Sequence, residues 1–412
     1  MNALRAGGFP EAAVRARART GAADAFPDPG EYGRTLFGAD PACAGVDPLD
    51  RLRLVPPVFV PRRLEKLIDL AREPVYRDVA LETAVGGFRS TLPLYLSAFG
   101  STRAASVDLG LAASRQAGRL GIPMVVGENV MPVNGYGRID ADAERSLLGR
   151  ISAYAACAVD GYGGVVVQQS TEDADAEVWN LVYSDPNVRA LLESGRLAFE
   201  LKVGQGAKPG LGGMTLVDAA SAARLAEAYM LDPAFGGAGG TVLRCSSPGT
   251  FTEEILRQQV RLMRNNFPRA RVWVKLPPAR DVRAAALVAW DAGADAVTVD
   301  GAEGGTGWAP VAFLQHVGLP LAECLRRIGE HASCLLVSGR MWEGARVAKC
   351  LALGATAAGL GRAALIAVDT DPEHGLVNLV ECLAVELQML TSALGKYDVG
   401  SLSPEDVWSP NP

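Results

Sequence analysis

Three observations predict an α/β chain folded as a (β/α)8 TIM barrel. Eight short apolar runs are separated by Ala-rich helical stretches, the apolar character is nearly continuous along each run, and glycines or charged residues close nearly every run. The runs lie at 92–96, 123–127, 164–168, 197–203, 272–276, 296–300, 334–338 and 356–360. A strand covered on both faces has no polar side, so near-continuous runs imply a parallel sheet. The competing architecture, an open doubly wound sheet, calls for a G-x-G-x-x-G turn after the first strand. The first run ends instead in Ser97-Ala98-Phe99-Gly100-Ser101, which lacks that spacing.

Taken in order, residues 1–87 form an N-terminal extension: an Ala/Arg-rich start, a Gly/Pro/Asp-rich stretch from 21 to 48, and short helices such as 62–71. The barrel occupies 88–395. Helical stretches fall at 105–120, 141–158, 252–266, 281–292, 321–328 and 343–353. The fourth strand is followed by a long insertion, 206–250, which includes Gly236-Gly237-Ala238-Gly239-Gly240; loops of this length usually cover or line a site. Apolar residues at Leu376, Leu379, Val380, Leu383 and Leu387 mark an amphipathic helix over 376–394 that closes the barrel, leaving 396–412 as a tail.

Composition narrows the function classes. With 412 residues the chain can bury a large core, and 49% hydrophobic content with a net charge of −6 offers no basic surplus for nucleic acid. The arginines near the N-terminus are not followed by an apolar signal-peptide core, so a cytoplasmic location without membrane attachment is expected. The seven cysteines contain no C-x-x-C pair, and His316, His331 and His374 are dispersed, so no metal site is expected. Only six of the 40 basic residues are lysines, which makes each Lys a pointer to chemistry that a permanently charged Arg would not serve.

Residues 199–214 stand out. There the fourth run breaks into glycines carrying Lys202, Gln205 and Lys208, a strand delivering a backbone loop to an anionic small molecule. In barrels of this class chemistry gathers at the C-terminal ends of the strands. Those ends supply Ser97, Glu128, Lys275, the Asp300-to-Gly307 loop with Gly304 and Gly305, Gly339-Arg340, and the Gly359-Leu360-Gly361-Arg362 turn. Ends seven and eight, with Arg340 and Arg362, form the customary phosphate position, so a phosphorylated ligand is expected. Lys275 then reaches the ligand's ring system, and a cation beside the electron-rich edge of a ring suits flavin better than pyridoxal phosphate.

The segments LKVGQGAKPGLGG, VKL, DAVTVDGAEGGTGWAP and SGRMWEGARVAKCLALGATAAGLGRAAL together resemble the FMN-binding synthase domain of the glutamate synthase family and its stand-alone relatives, over roughly 92–395. The resemblance implies FMN held by Ser97, Gln205, Lys275, Asp300, Gly304, Gly305, Gly339 and the Gly359–Arg362 turn, and an amino-acid or 2-oxo-acid pocket using Glu128, Lys202 and Lys208. Three departures stand beside it. No cysteine occurs after the eighth strand until Cys382, so the family's iron–sulfur relay is not expected. Met214 replaces the Gln that helps hold 2-oxoglutarate, and Gly127-Glu128-Asn129 replaces G-E-G. An N-terminal glutaminase domain would start on a nucleophilic Cys, whereas Met1-Asn2 opens this sequence and the first Cys is Cys43.

The reading favoured by these residues is an FMN-dependent oxidoreductase acting at Cα of a small amino, imino or 2-oxo acid other than 2-oxoglutarate, with Glu128, Lys202 and Lys208 at the substrate. A separate protein as electron donor or ammonia source, and a homo-oligomer, are compatible with it; nucleic acid and membrane are not expected partners. The alternatives are a redox-neutral FMN isomerase similar to type 2 isopentenyl-diphosphate isomerase and a pathway scaffold without chemistry. Flavin-dependent 2-hydroxy-acid oxidation ranks lower, because the loop after the sixth strand carries no base His.

Overall fold

The computed structural model describes residues 4–7, 9–25, 47–99, 109–127, 147–171, 176–204, 206, 215–218, 222–223, 226, 229–232, 241–246, 251–304 and 311–410. A closed barrel of eight parallel strands forms its centre. The barrel strands are β4 (Leu94–Phe99), β5 (Met124–Val126), β6 (Val165–Ser170), β7 (Leu197–Lys202), β11 (Arg271–Leu276), β12 (Ala296–Asp300), β13 (Leu335–Ser338) and β14 (Ala357–Leu360), with β14 paired to β4 and β7 to β11. These are the eight runs read from the sequence. They pair because most of their residues are Val, Leu or Ala buried on both faces, so that the backbone is satisfied by its neighbours in the sheet, with polar side chains confined to the part nearer the strand ends.

The surrounding helices include α4 (Leu109–Leu120), α5 (Leu147–Ala155), α6 (Ala176–Ser184), α7 (Arg189–Glu193), α8 (Glu253–Asn266), α9 (Val282–Asp291), α10 (Val311–His316), α11 (Leu321–Ile328), α12 (Gly344–Ala352), α13 (Arg362–Thr370) and α14 (Gly375–Ala393). Thr252 caps α8 by accepting from the Ile255 amide, satisfying one of the unpaired donors of its first turn. The 19-residue α14 is apolar enough in composition to span a bilayer, yet Leu376, Leu379, Val380, Leu383 and Leu387 are buried in the main core. Within the insertion, β8 (Thr215–Asp218), β9 (Met230–Asp232) and β10 (Thr241–Ser246) make a three-stranded antiparallel sheet in the order β8-β10-β9.

The N-terminal residues are more tightly built than the composition suggests. Helix α1 (Glu11–Thr20) packs on α13 and α14 through Val14 and Ala18. It also buries Arg15, which is paired with Asp369 at 3.0 Å and Glu11 at 2.9 Å. The short helix α2 (Pro48–Arg51), capped by Asp47, lies against α11 and α12. Strand β1 (Arg53–Leu54) pairs with β15 (Val407–Trp408), and helix α3 (Pro61–Leu70) lies on the outside with no buried residue. The hairpin of β2 (Thr83–Val85) and β3 (Phe88–Ser90) plugs the end of the barrel where the strands begin. Its Phe88 packs against Trp273, ring centroids 5.6 Å apart, and the Trp273 indole donates to the Gly86 carbonyl at 2.9 Å. Gly86 has φ +57, and a Cβ there would land on that indole, so this turn requires glycine twice over.

Candidate active site

Side chains alternate along each strand, so every second residue points into the barrel. At the plugged end the interior is apolar, with Val125, Val166, Ala198, Trp273, Ala296, Leu336 and Ala357. One layer nearer the C-terminal ends it becomes polar. Glu200 is almost fully buried there; Gln168 donates to its Oε2 and the Thr298 hydroxyl to its Oε1 at 3.0 Å. Burial pushes the Glu200 carboxyl up, and the nearby Lys275 charge opposes that rise.

Lys275 and Asp300 complete this layer as a buried ion pair, Nζ to Oδ2 at 3.2 Å, with the Ser338 hydroxyl donating to the other Asp300 oxygen. The pair crosses between neighbouring strands β11 and β12, so backbone pairing fixes both ends. Lys202 at the end of β7 stands in register with Lys275, which brings a second ammonium-bearing residue to this side of the mouth. Burial, with the negative charges of Asp300 and Glu200, pushes the Tyr95 phenol up and keeps it neutral.

At the mouth the strand ends meet through backbone contacts. The Gly301 amide donates to the Ser338 carbonyl at 2.8 Å and the Gly304 amide to the Gly301 carbonyl at 2.9 Å. Gly359 is pressed against Tyr95 and Ser97, where a Cβ would meet the Ser97 hydroxyl at 2.6 Å, whereas a Cβ on Gly361 would have, among the described residues, only the Ser97 Cβ nearby, at 4.0 Å. Arg362 donates to the Glu303 carbonyl at 2.7 Å. Burial first, and the neighbouring Arg340 charge second, hold the Arg362 guanidinium below its ordinary range, while the Glu303 carboxylate opposes that fall. Glu303 accepts from the Leu321 amide at 3.0 Å, and burial with the nearby Asp47 charge pushes its carboxyl up to about 7.

Whether a phosphorylated flavin fits can be tested on these atoms. The buried Arg340 Nε makes no hydrogen bond among the described residues, and the buried Ser97 Oγ has only the neighbouring Tyr95 phenol beside it there, without full hydrogen-bond geometry; such atoms cost free energy unless a partner completes them. They belong to a rim that also holds Arg362 and the glycines 339, 359 and 361. This donor set suits a bound anion at ends seven and eight, with a ring system reaching toward Lys275. A non-glycine residue at φ +56, as Arg340 is, costs about 1–2 kcal/mol. Strain of that kind is commonly kept at functional sites.

Of the residues singled out from the sequence, Ser97, Lys202, Lys275, Asp300, Gly304, Gly339, Arg340, Gly359, Gly361 and Arg362 all stand at the C-terminal ends of barrel strands. Glu128, Gln205, Lys208 and Gly305 lie outside the described residues. Sequence reasoning missed Glu200, although the alternation in Leu-Ala-Phe-Glu-Leu-Lys places it on the inward face with Lys202. It also missed Asp47, Asp50 and Arg346, for which the sequence carries no signal. Arg346 is fully buried, bonded to Asp47 at 2.7 Å, to Asp50 and to the Gly339 carbonyl at 3.3 Å. Among the described residues no group of three or more His, Cys, Asp or Glu is placed to hold a metal ion. The buried thiols of Cys324, Cys350 and Cys382 are each pushed up to about 12 by burial.

Residues 130–375 match the family model described as the conserved region in glutamate synthase. The chain is 31% identical over 307 residues to the glutamate synthase large subunit-like protein of Rhizobium meliloti (strain 1021), covering 71% of this chain and 64% of that one. It is 35% identical over 182 residues to the archaeal-type glutamate synthase [NADPH] of Thermotoga maritima, covering 42% of this chain and 34% of the relative. It thus spans less than two thirds of the length of each of these relatives. Among solved structures, a soluble mutant of the membrane-associated (S)-mandelate dehydrogenase from Pseudomonas putida superposes with a TM-score of 0.55 at 18% identity, over 98% of this chain and 100% of that one. A mandelate oxidase with a monooxide FMN adduct gives 0.52 at 20% identity, over 86% and 87%. At such identities these structures speak to the fold.

Proposed function

This chain belongs to the glutamate synthase family, and from that premise we propose that it is an FMN-dependent oxidoreductase acting on a small amino acid or its imino or 2-oxo counterpart. The observation that carries the reading is the Lys275–Asp300 ion pair buried beneath a rim on which Arg340 Nε lacks a partner among the described residues. Bound FMN would supply two-electron hydride chemistry at its N5 position. Arg340, Arg362 and the glycine turns 339 and 359–361 hold the phosphate end, and Ser97 donates or accepts one further hydrogen bond. Lys275, immobilised by Asp300, presents a positive charge toward the ring and favours the electron-rich state. Because that ammonium is already positioned, no side chain has to reorganise when charge develops.

On the substrate side Lys202 flanks the mouth, and Glu128 and Lys208 extend the set through the family resemblance. Lys208 and Lys202 hold the substrate carboxylate, and Glu128 orients the amine and takes its proton. Met214 cannot donate a strong hydrogen bond, which supports a substrate other than 2-oxoglutarate. Oxidation of 2-hydroxy acids is disfavoured by the absence of any His between 296 and 315. A separate protein or a diffusible reductant supplies or removes electrons. Anaerobic mixing of flavin-loaded protein with a panel of amino acids tests the reading. Bleaching of the visible band by one or a few of them, or re-oxidation of reduced protein by an imino or 2-oxo acid with amine, is expected. Flavin that responds to neither class contradicts it.

A further inference from the structure

The ion cluster behind the phosphate end contains a feature that simple bracing does not explain. Arg346, fully buried, already holds Asp47 and Asp50 and thereby fixes α2 and its cap against the Gly339 turn. Arg340 joins the same cluster, donating to Asp50 at 3.0 Å and lying 3.8 Å from Asp47. It does so from φ +56, a conformation glycine adopts without penalty. If the loop needed only to turn, glycine would serve, and Arg346 would still brace it. An arginine retained in this place keeps a cation at the turn, and its anchored Nη1 leaves the buried Nε–H without an acceptor among the described residues.

Resting on the flavin reading above, we propose that Asp50 is a positioning residue that sets the Arg340 guanidinium for the ligand phosphate. The segment 47–51 is then part of the anion cradle, and discrimination between FMN and unphosphorylated riboflavin runs through it. Asp50 never touches the ligand. It acts by taking one edge of the guanidinium so that the Nε edge is presented in a fixed direction, as a bidentate-capable cation must be for directional recognition of phosphate.

The test uses full-length protein stripped of flavin and measures dissociation constants for FMN and for riboflavin by quenching of flavin fluorescence, in the wild type, Asp50→Asn and Arg340→Gly. Both variants are expected to weaken FMN at least tenfold while riboflavin stays within twofold, so that the preference for the phosphorylated ligand collapses. Equal weakening of both flavins would reduce Asp50 to a brace and overturn the proposal, as would unchanged FMN affinity. Should Asp50→Asn fail to fold, Asp50→Glu, which keeps the charge and displaces the carboxylate by one methylene, carries that arm with the same expected direction. A wild type that binds neither flavin defeats the flavin reading itself. A wild type that prefers FMN, with variants that keep the preference, defeats this inference alone.

Discussion

Replacing Glu303 by Gln should make the protein more stable at alkaline pH and leave it nearly unchanged at acid pH. The carboxyl sits in the loop after β12, partly buried near the Asp47 charge, with the Leu321 amide as its donor. Its folded value of about 7 lies above the ordinary 4.5, so the folded state holds a proton that the unfolded chain has released. Stability from this group is therefore fully present below pH 4.5 and is lost as pH rises to about 7. At 1.36 kcal/mol per pH unit the gap amounts to about 3 kcal/mol, an upper bound at pH 8 and above. Glutamine keeps an acceptor for the Leu321 amide and carries no charge to repel Asp47. Urea unfolding of wild type and Glu303→Gln at pH 5 and pH 8.5 should show a difference of within ~1 kcal/mol at the lower pH and a gain of roughly 1–3 kcal/mol at the higher. A variant destabilised equally at both pH values would refute the reasoning, because it would make Glu303 an ordinary ionised helix cap.

Three further substitutions probe other links. Gly86→Ala combines a positive φ with a Cβ on the Trp273 indole and should cost about 3 kcal/mol or more in the same unfolding assay; an effect below ~1 kcal/mol would mean the plug rearranges freely. Lys275→Gln removes the cation beneath the ring, and the midpoint potential of bound FMN should fall by at least ~30 mV, the equivalent of about 1.4 kcal/mol for two electrons; an unchanged potential would remove Lys275 from the ring's surroundings. Lys208→Ala should leave the flavin bound and abolish turnover, judged by the visible spectrum and by steady-state rates; loss of flavin would move Lys208 to the cofactor side.

Much of this architecture was legible because parallel strands buried on both faces leave continuous apolar runs, and all eight were found within a few residues of their ends. The polar rim was legible for a related reason: Lys275, Asp300 and the glycines interrupt those runs where the strands end. Less was legible where polar residues are buried by pairing. Helix α1 reads only as the Ala/Arg-rich start of an extension, yet Arg15 is buried because Asp369, hundreds of residues away, neutralises it. Arg346 hides in the same way behind Asp47 and Asp50. The β2–β3 hairpin did leave a mark in Gly86-Gly87, a common hairpin turn pair, but its place beneath the barrel follows from Trp273, whose indole needs the Gly86 carbonyl. Glu200 was hidden by the apolar residues on either side of it, which made the strand read as wholly buried rather than as two faces with different tasks.

The central claim, that the mouth of this barrel is a flavin site, is tested most directly by the visible spectrum of the purified full-length protein, before and after addition of FMN, with the released cofactor identified on denaturation. Oxidised-flavin bands, with FMN released in a ratio approaching one per chain after reconstitution, are the predicted result. A colourless protein that takes up no added FMN would contradict the account.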